Sequence, residues 1–167
     1  MFKKIITFSF FFFLLSSNLN AAVTVLGSSD AYICYKHAKY GSTTQSSILT
    51  CLNAISDMTV SKKDIDASRI NLGIIYNNKS KPKMALEQFE IAFKNESMRA
   101  EIFLNQGNSL LLLKDYKGAL EKYQASLENN LEDISAIYFN KGMAHEYLGN
   151  IDQAVSFYKK AVTLNPS

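Results

Sequence analysis

The chain has 167 residues, of which 47% are hydrophobic and 20% charged, with 18 basic against 15 acidic side chains. Its length is that of one ordinary domain, and its composition argues against an intrinsically disordered chain. No cluster of Lys and Arg marks a phosphate-binding stripe, so no nucleic-acid partner is expected.

The chain opens with MFKKIITFSFFFFLLSSNLNAA: two lysines, an apolar run from Ile5 to Leu15, then a short polar stretch ending in alanines. That is the anatomy of a secretory signal peptide over residues 1–22, with cleavage expected after Ala22 or one residue earlier; an uncleaved anchor is the alternative. Loss of Lys3 and Lys4 leaves 16 basic against 15 acidic residues. Nothing that remains is expected to span a membrane. The destination is an oxidising compartment, the periplasm or the medium. No Cys follows the cleavage region, which argues against lipid attachment there.

Residues 23–65 divide into an extended, weakly ordered lead-in, AVTVLGSSD, and two helices, DAYICYKHAKYG and TQSSILTCLNAISD, separated by GST. Asp30 and Thr44 are the expected N-caps. An antiparallel hairpin brings Cys34 opposite Cys51, so a single disulfide is expected in an exported chain; two buried free thiols are the alternative. The short basic stretches SKKD at 61–64 and NKSKPK at 78–83 read as solvated linker and turn.

From residue 66 onward the chain repeats itself. Gly73, Gly107 and Gly142 are spaced by 34 and 35 residues. In the register they set, Asn71, Asn105 and Asn140 form a column. So do Ala85, Ala119 and Ala154, then Phe89, Tyr123 and Tyr158, then Ala92, Ser126 and Ala161. Each unit reads as two helices with a break between them. Pro82 starts the second helix of the first unit, where a missing N–H is tolerated. Tyr116 and Ile151 start those of the later units beside Asp115 and Asp152, and Pro166 stops the chain. A mid-helix Gly costs about 1 kcal/mol relative to Ala, so three in one column need a packing reason. Two helices approach closely where small side chains face each other, which assigns Gly142, Ala154 and Ala161 to the contact and Tyr138 and Tyr158 to the space around it.

These columns resemble the tetratricopeptide repeat family, whose unit is a 34-residue helix-turn-helix. The chain departs from the pattern at Arg69, which replaces a leading aromatic, at His145, where a Tyr is usual, and at Ser97 and Leu131, which replace the closing Pro of the first two units. The resemblance implies an all-α fold, a right-handed α-solenoid of antiparallel helix pairs. Three units at 66–99, 100–134 and 135–167 follow a degenerate helical hairpin. The signal segment and the hairpin ahead of the repeats are similar to small exported bacterial members of the family, which implies a periplasmic location.

Catalytic chemistry is not expected. His37 and His145 are the two histidines, and with Cys34 and Cys51 paired no metal-ligand set remains; no cofactor motif is present either. Cys34 with His37 would make a thiol or redox site only if Cys51 were not its partner. Glu132 and Asp133 read as turn residues.

A stack of helical hairpins curves, with the first helices on its inner face. Helical spacing nominates Ile70, Ile74 and Asn77 from the first unit, Glu101, Leu104, Asn108 and Leu111 from the second, and Phe139, Met143 and Glu146 from the third as a partner-binding groove. Family members that grip acidic C-termini carry basic and Asn side chains on this face. Here Ile70, Ile74 and Ala136 replace them and Asn105 is retained, so the resemblance points to a hydrophobic or amphipathic protein segment instead. Packing on neighbouring helices is the alternative for each of these residues. At the other end, Val155, Val162 and Tyr158 are expected to be partly exposed, which suggests a homo-oligomer. The leading function is therefore an exported adaptor or scaffold; the second is a self-associating structural component of a cell-envelope complex; the third, a thiol-dependent redox protein, has the least support.

Overall fold

The structure, a computed structural model, describes residues 20–25 and 29–165. The segment read as a signal peptide therefore lies outside the described residues up to position 19, as do part of the lead-in and the last two residues, Pro166 and Ser167. The described residues form eight α-helices: α1 Ser29–Lys39, α2 Gln45–Ser56, α3 Lys62–Asn78, α4 Pro82–Ala92, α5 Arg99–Leu112, α6 Tyr116–Glu128, α7 Ser135–Tyr147 and α8 Ile151–Leu164. A single 3-10 turn, Glu96–Met98, precedes α5. The helices pack as sequential antiparallel pairs, each pair against the next. The first helices, α1, α3, α5 and α7, also touch in succession, so they form one side of the stack.

The same turn closes all four pairs. Gly41, Ser80, Lys114 and Gly149 each sit just past a first helix with φ of 69°, 55°, 64° and 79°. In every case the N–H of the next residue reaches back five positions: Ser42 to His37, Lys81 to Tyr76, Asp115 to Leu110 and Asn150 to His145, at 2.8–2.9 Å. This is the Schellman closure, which satisfies carbonyls that the helix end leaves open. The N-terminal hairpin thus turns as the repeats do. Ser80 and Lys114 hold a left-handed conformation that glycine adopts without strain. Replacing Lys114 by Gly is expected to raise stability by roughly 1 kcal/mol, read as a higher thermal midpoint; a lower midpoint would contradict this account of the turn.

Helix starts follow local chemistry. The Thr44 hydroxyl accepts from Ser47 N–H at 3.1 Å, as expected of an N-cap, and Asp115 accepts from Gly118 N–H at 3.0 Å. Asp30 is no cap: it lies inside the first turn of α1. The stretch SKKD is not linker either. Ser61 caps α3 by accepting from Asp64 N–H at 3.1 Å, its hydroxyl donates to the Asp64 carboxylate, and Lys62 pairs with Asp66 one turn on.

The glycine column lies within α3, α5 and α7, and its packing reason is visible. A Cβ on Gly142 would sit 2.5 Å from Cε1 of Tyr158, and the same overlap would arise between Gly73 and Phe89 and between Gly107 and Tyr123. Each glycine is the seat of its own unit's aromatic ring. Ala85, Ala92, Ala119, Ser126, Ala154 and Ala161 are all buried on the facing helices. Tyr138 differs from expectation: it lies half-buried on the flank, stacked on Phe157 with ring centroids 6.1 Å apart and capped by the Lys160 ammonium at 4.0 Å. Ala154→Leu is expected to overpack α7 against α8 by roughly 1–3 kcal/mol, and an unchanged thermal midpoint would count against this register.

The apolar interior divides into two clusters. One joins α1 to α4 with Met98 and Ile102 and includes the Cys34–Cys51 disulfide, whose Cα atoms are 4.8 Å apart; the other spans α5 to α7.

Candidate partner-binding groove

Successive residues on an α-helix are about 100° apart, so Asn71, Asn105 and Asn140, each two positions before its glycine, point some 200° away from the ring that the glycine seats. That direction is the face formed by α3, α5 and α7. All three asparagines are fully buried there.

What buries two of them is the chain's own segment 20–25. The Asn71 side-chain amide accepts from Val23 N–H at 2.9 Å and donates to Val23 C=O at 2.8 Å. The N–H and C=O of one residue point the same way when that residue is extended, so Asn71 pairs with Val23 as a neighbouring strand would. Asn105 donates to Ala21 C=O at 3.0 Å and to Glu101 C=O at 2.9 Å. Its own side-chain oxygen is buried with no hydrogen-bond partner. Asn108 donates to the Asn20 side-chain oxygen at 2.9 Å, and Asn20 donates to Asn78 at 3.4 Å. Val25 is fully buried in the first apolar cluster, Ala22 and Val23 pack against that cluster, and Ala21 packs against the second. Residues 22–25 of the lead-in read as weakly ordered are thus, with Asn20 and Ala21, a segment pinned along the face of the stack.

Beside this strand lies an open cavity of about 940 Å³, lined by Asn20, Ala21 and Ala22 together with Tyr35, Lys39, Asn77, Glu101, Leu104, Glu132, Asp133 and Ala136. Of the nominated groove residues, the structure brings Asn77, Glu101 and Leu104 to this cavity and Asn108 to the strand beside it. Ile70 and Ile74 are fully buried in the first apolar cluster, and Leu111 and Met143 are buried in the second. Phe139 packs on Tyr158 with centroids 5.5 Å apart, and the exposed Glu146 accepts a hydrogen bond from the Tyr158 hydroxyl. Burial first, then the Glu146 carboxylate, pushes the Tyr158 phenol above its ordinary value. His145 stacks on Phe157 at 5.2 Å, and burial, then Lys141, holds its imidazole below the usual range. Sequence reasoning missed Asn71 as a groove residue, although its column was visible and the helical angle to Gly73 gives its direction.

Beneath the strand the polar groups are tied from repeat to repeat. Asn77 donates to Asn105 C=O at 3.2 Å and accepts from the Ser109 hydroxyl at 2.8 Å. The Asn108 oxygen accepts from Tyr123 OH at 3.0 Å and from Asn140 at 2.8 Å. Among the described residues no group of three or more His, Cys, Asp or Glu could hold a metal ion, and no helix is long and apolar enough to cross a membrane.

Residues 71–130 and 135–167 each match a tetratricopeptide repeat model, together more than half of the chain. The chain belongs to the tetratricopeptide repeat family. Repeats of this family in general mediate protein–protein interactions and are not typically catalytic. Among curated proteins, the chain is 30% identical over 117 residues to small glutamine-rich tetratricopeptide repeat-containing protein 2 of Saccharomyces cerevisiae, covering 70% of this chain and 29% of that one. It is 33% identical over 86 residues to BBSome complex member BBS4 of Mus musculus, covering 52% of this chain and 16% of the relative. To the type IV pilus assembly protein PilF of Pseudomonas aeruginosa it is 25% identical over 95 residues, covering 56% of this chain and 38% of that protein. The chain therefore spans well under half the length of each of these relatives.

Proposed function

We propose that this protein is an exported tetratricopeptide adaptor that holds an extended polypeptide segment along α3, α5 and α7. The observation that carries this reading is the Asn71 amide, which takes both hydrogen-bonding groups of one backbone residue. A side chain that binds backbone in this way recognises an extended chain largely independently of its sequence. The cavity beside it supports this reading, because its lining, Glu101 with Asn77 and Leu104 among it, mixes polar and apolar groups as an amphipathic segment requires. The export and periplasmic parts of the proposal are supported by the signal-like residues 1–22, by the Cys34–Cys51 disulfide and by the likeness to a type IV pilus assembly protein.

A photo-crosslinker at Glu101 tests the groove. A partner captured from a periplasmic fraction through position 101, and not through the outward-facing Lys117, is the expected result; equal capture from both positions would sink the adaptor reading. A reporter that is active only after export, fused behind residues 1–22, tests the location.

One observation favours a second reading. Ile151, Val155 and Val162 lie along one side of α8 and are 57%, 45% and 66% exposed, an apolar row suited to self-association in an envelope assembly. Sedimentation of the purified protein as a strict monomer at high concentration would end that reading.

A further inference from the structure

Asn71 and Asn105 are not merely near the N-terminal segment; they meet it at Val23 and Ala21, two residues apart. Ala21 packs against the second apolar cluster, Ala22 and Val23 pack against the first, and Val25 is buried in the first. The slot therefore reads backbone through Asn71 and Asn105 and takes small aliphatic side chains. It is full at Asn71 and half-engaged at Asn105, whose buried side-chain oxygen has no donor. A strand N–H brought to that oxygen would complete the pairing already seen at Val23.

We infer that residues 20–25 are a removable occupant of this slot, and that withdrawing Asn20 and Ala21 opens its second-repeat half to an extended partner segment rich in small aliphatic residues. The inference rests on the groove reading above. Cleavage after Ala21 or Ala22 takes the Ala21 carbonyl from Asn105 and Asn20 from Asn108, while the Val23 C=O keeps its bond from Asn71; the Val23 nitrogen stays an amide in the first case and becomes the N-terminal ammonium, still a donor to Asn71, in the second. Processing then leaves the first-repeat half filled by Val23 to Val25, which guides an incoming strand to Asn105. Before processing, the tethered strand competes at an effective concentration in the millimolar range, typical of a short linker, and keeps the slot closed.

Two measurements on the full chain, held in detergent micelles, test this. Hydrogen exchange at the Val23 amide is expected to be slowed roughly fivefold or more relative to an unstructured chain, and Asn71→Ala should abolish the protection. Because Asn71 is buried, Val23→Pro serves as the variant that changes the strand and spares the helices. A labelled peptide of residues 20–25, NAAVTV, followed by fluorescence anisotropy, should bind the Val23→Pro chain about tenfold or more tighter than the unaltered chain. Asn105→Ala in the same background should remove that gain. An unprotected Val23 amide, or equal peptide affinity for both chains, overturns the inference. If protection and peptide binding both hold while crosslinking from Glu101 finds no partner, the adaptor reading fails and the occupied slot stands.

Discussion

Tyr123→Ala is expected to destabilise the protein by about 3–5 kcal/mol, a large part of the stability of a domain this size. The Tyr123 ring is fully buried against Gly107, and its hydroxyl donates to Asn108 at 3.0 Å. Truncation removes the apolar contact and leaves a cavity that rigid helices close only in part. Tyr123→Phe removes the hydroxyl alone and should cost about 0.5–1.5 kcal/mol, because Asn140 still donates to the Asn108 oxygen. The sharper test is the coupling to Gly107. In the native protein Gly107→Ala drives a methyl into the ring and should cost roughly 1–3 kcal/mol. In the Tyr123→Ala background the ring is gone, and the same change should stabilise α5 by up to about 1 kcal/mol through helix propensity. Denaturant midpoints of the four proteins give the cycle, and additive costs would show that glycine and ring do not share one contact.

The second large effect lies in the N-terminal hairpin. The Cys34–Cys51 bond closes a loop of sequence separation 17, and both residues are fully buried. Replacing the pair with alanine is expected to lower stability by about 3 kcal/mol, chiefly by freeing the unfolded chain. The loss should fall first on the cluster that joins α1 and α2 to α3. Thiol titration of the native, unreduced protein should find no reactive cysteine. A titratable thiol under those conditions would revive the redox reading that the closed pair argues against.

Much of the fold was legible because its signals are local and periodic. The spacing of Gly73, Gly107 and Gly142 fixes where each helix pair touches, and Phe89, Tyr123 and Tyr158 mark what touches it. Pro82, Thr44 and Asp115 announce helix starts by their own chemistry. Ser61 was harder to see, since its cap is spelled by the serine and aspartate of SKKD while the two lysines dominate the composition. Ile70 and Ile74 illustrate a different limit. Helical phase places them on the first helix of their unit, but burial by segments distant in sequence, here Val25 and α1, is not encoded in any periodicity of α3. The strand of residues 20–25 was unreadable for the same reason. AAVTV has no partner strand nearby in sequence, and Val23 and Ala21 are bonded by side chains 48 and 84 positions away. Only the asparagine column carried a trace of it.

The paired asparagines under the strand have a mechanical consequence. Asn77 ties α3 to α5 and Asn108 ties α5 to α7, each through buried amide hydrogen bonds that would break if one hairpin slid or rotated past the next. Slippage at these two seams therefore carries a hydrogen-bond penalty, and the stack resists it as a bracket does rather than yielding like a spring.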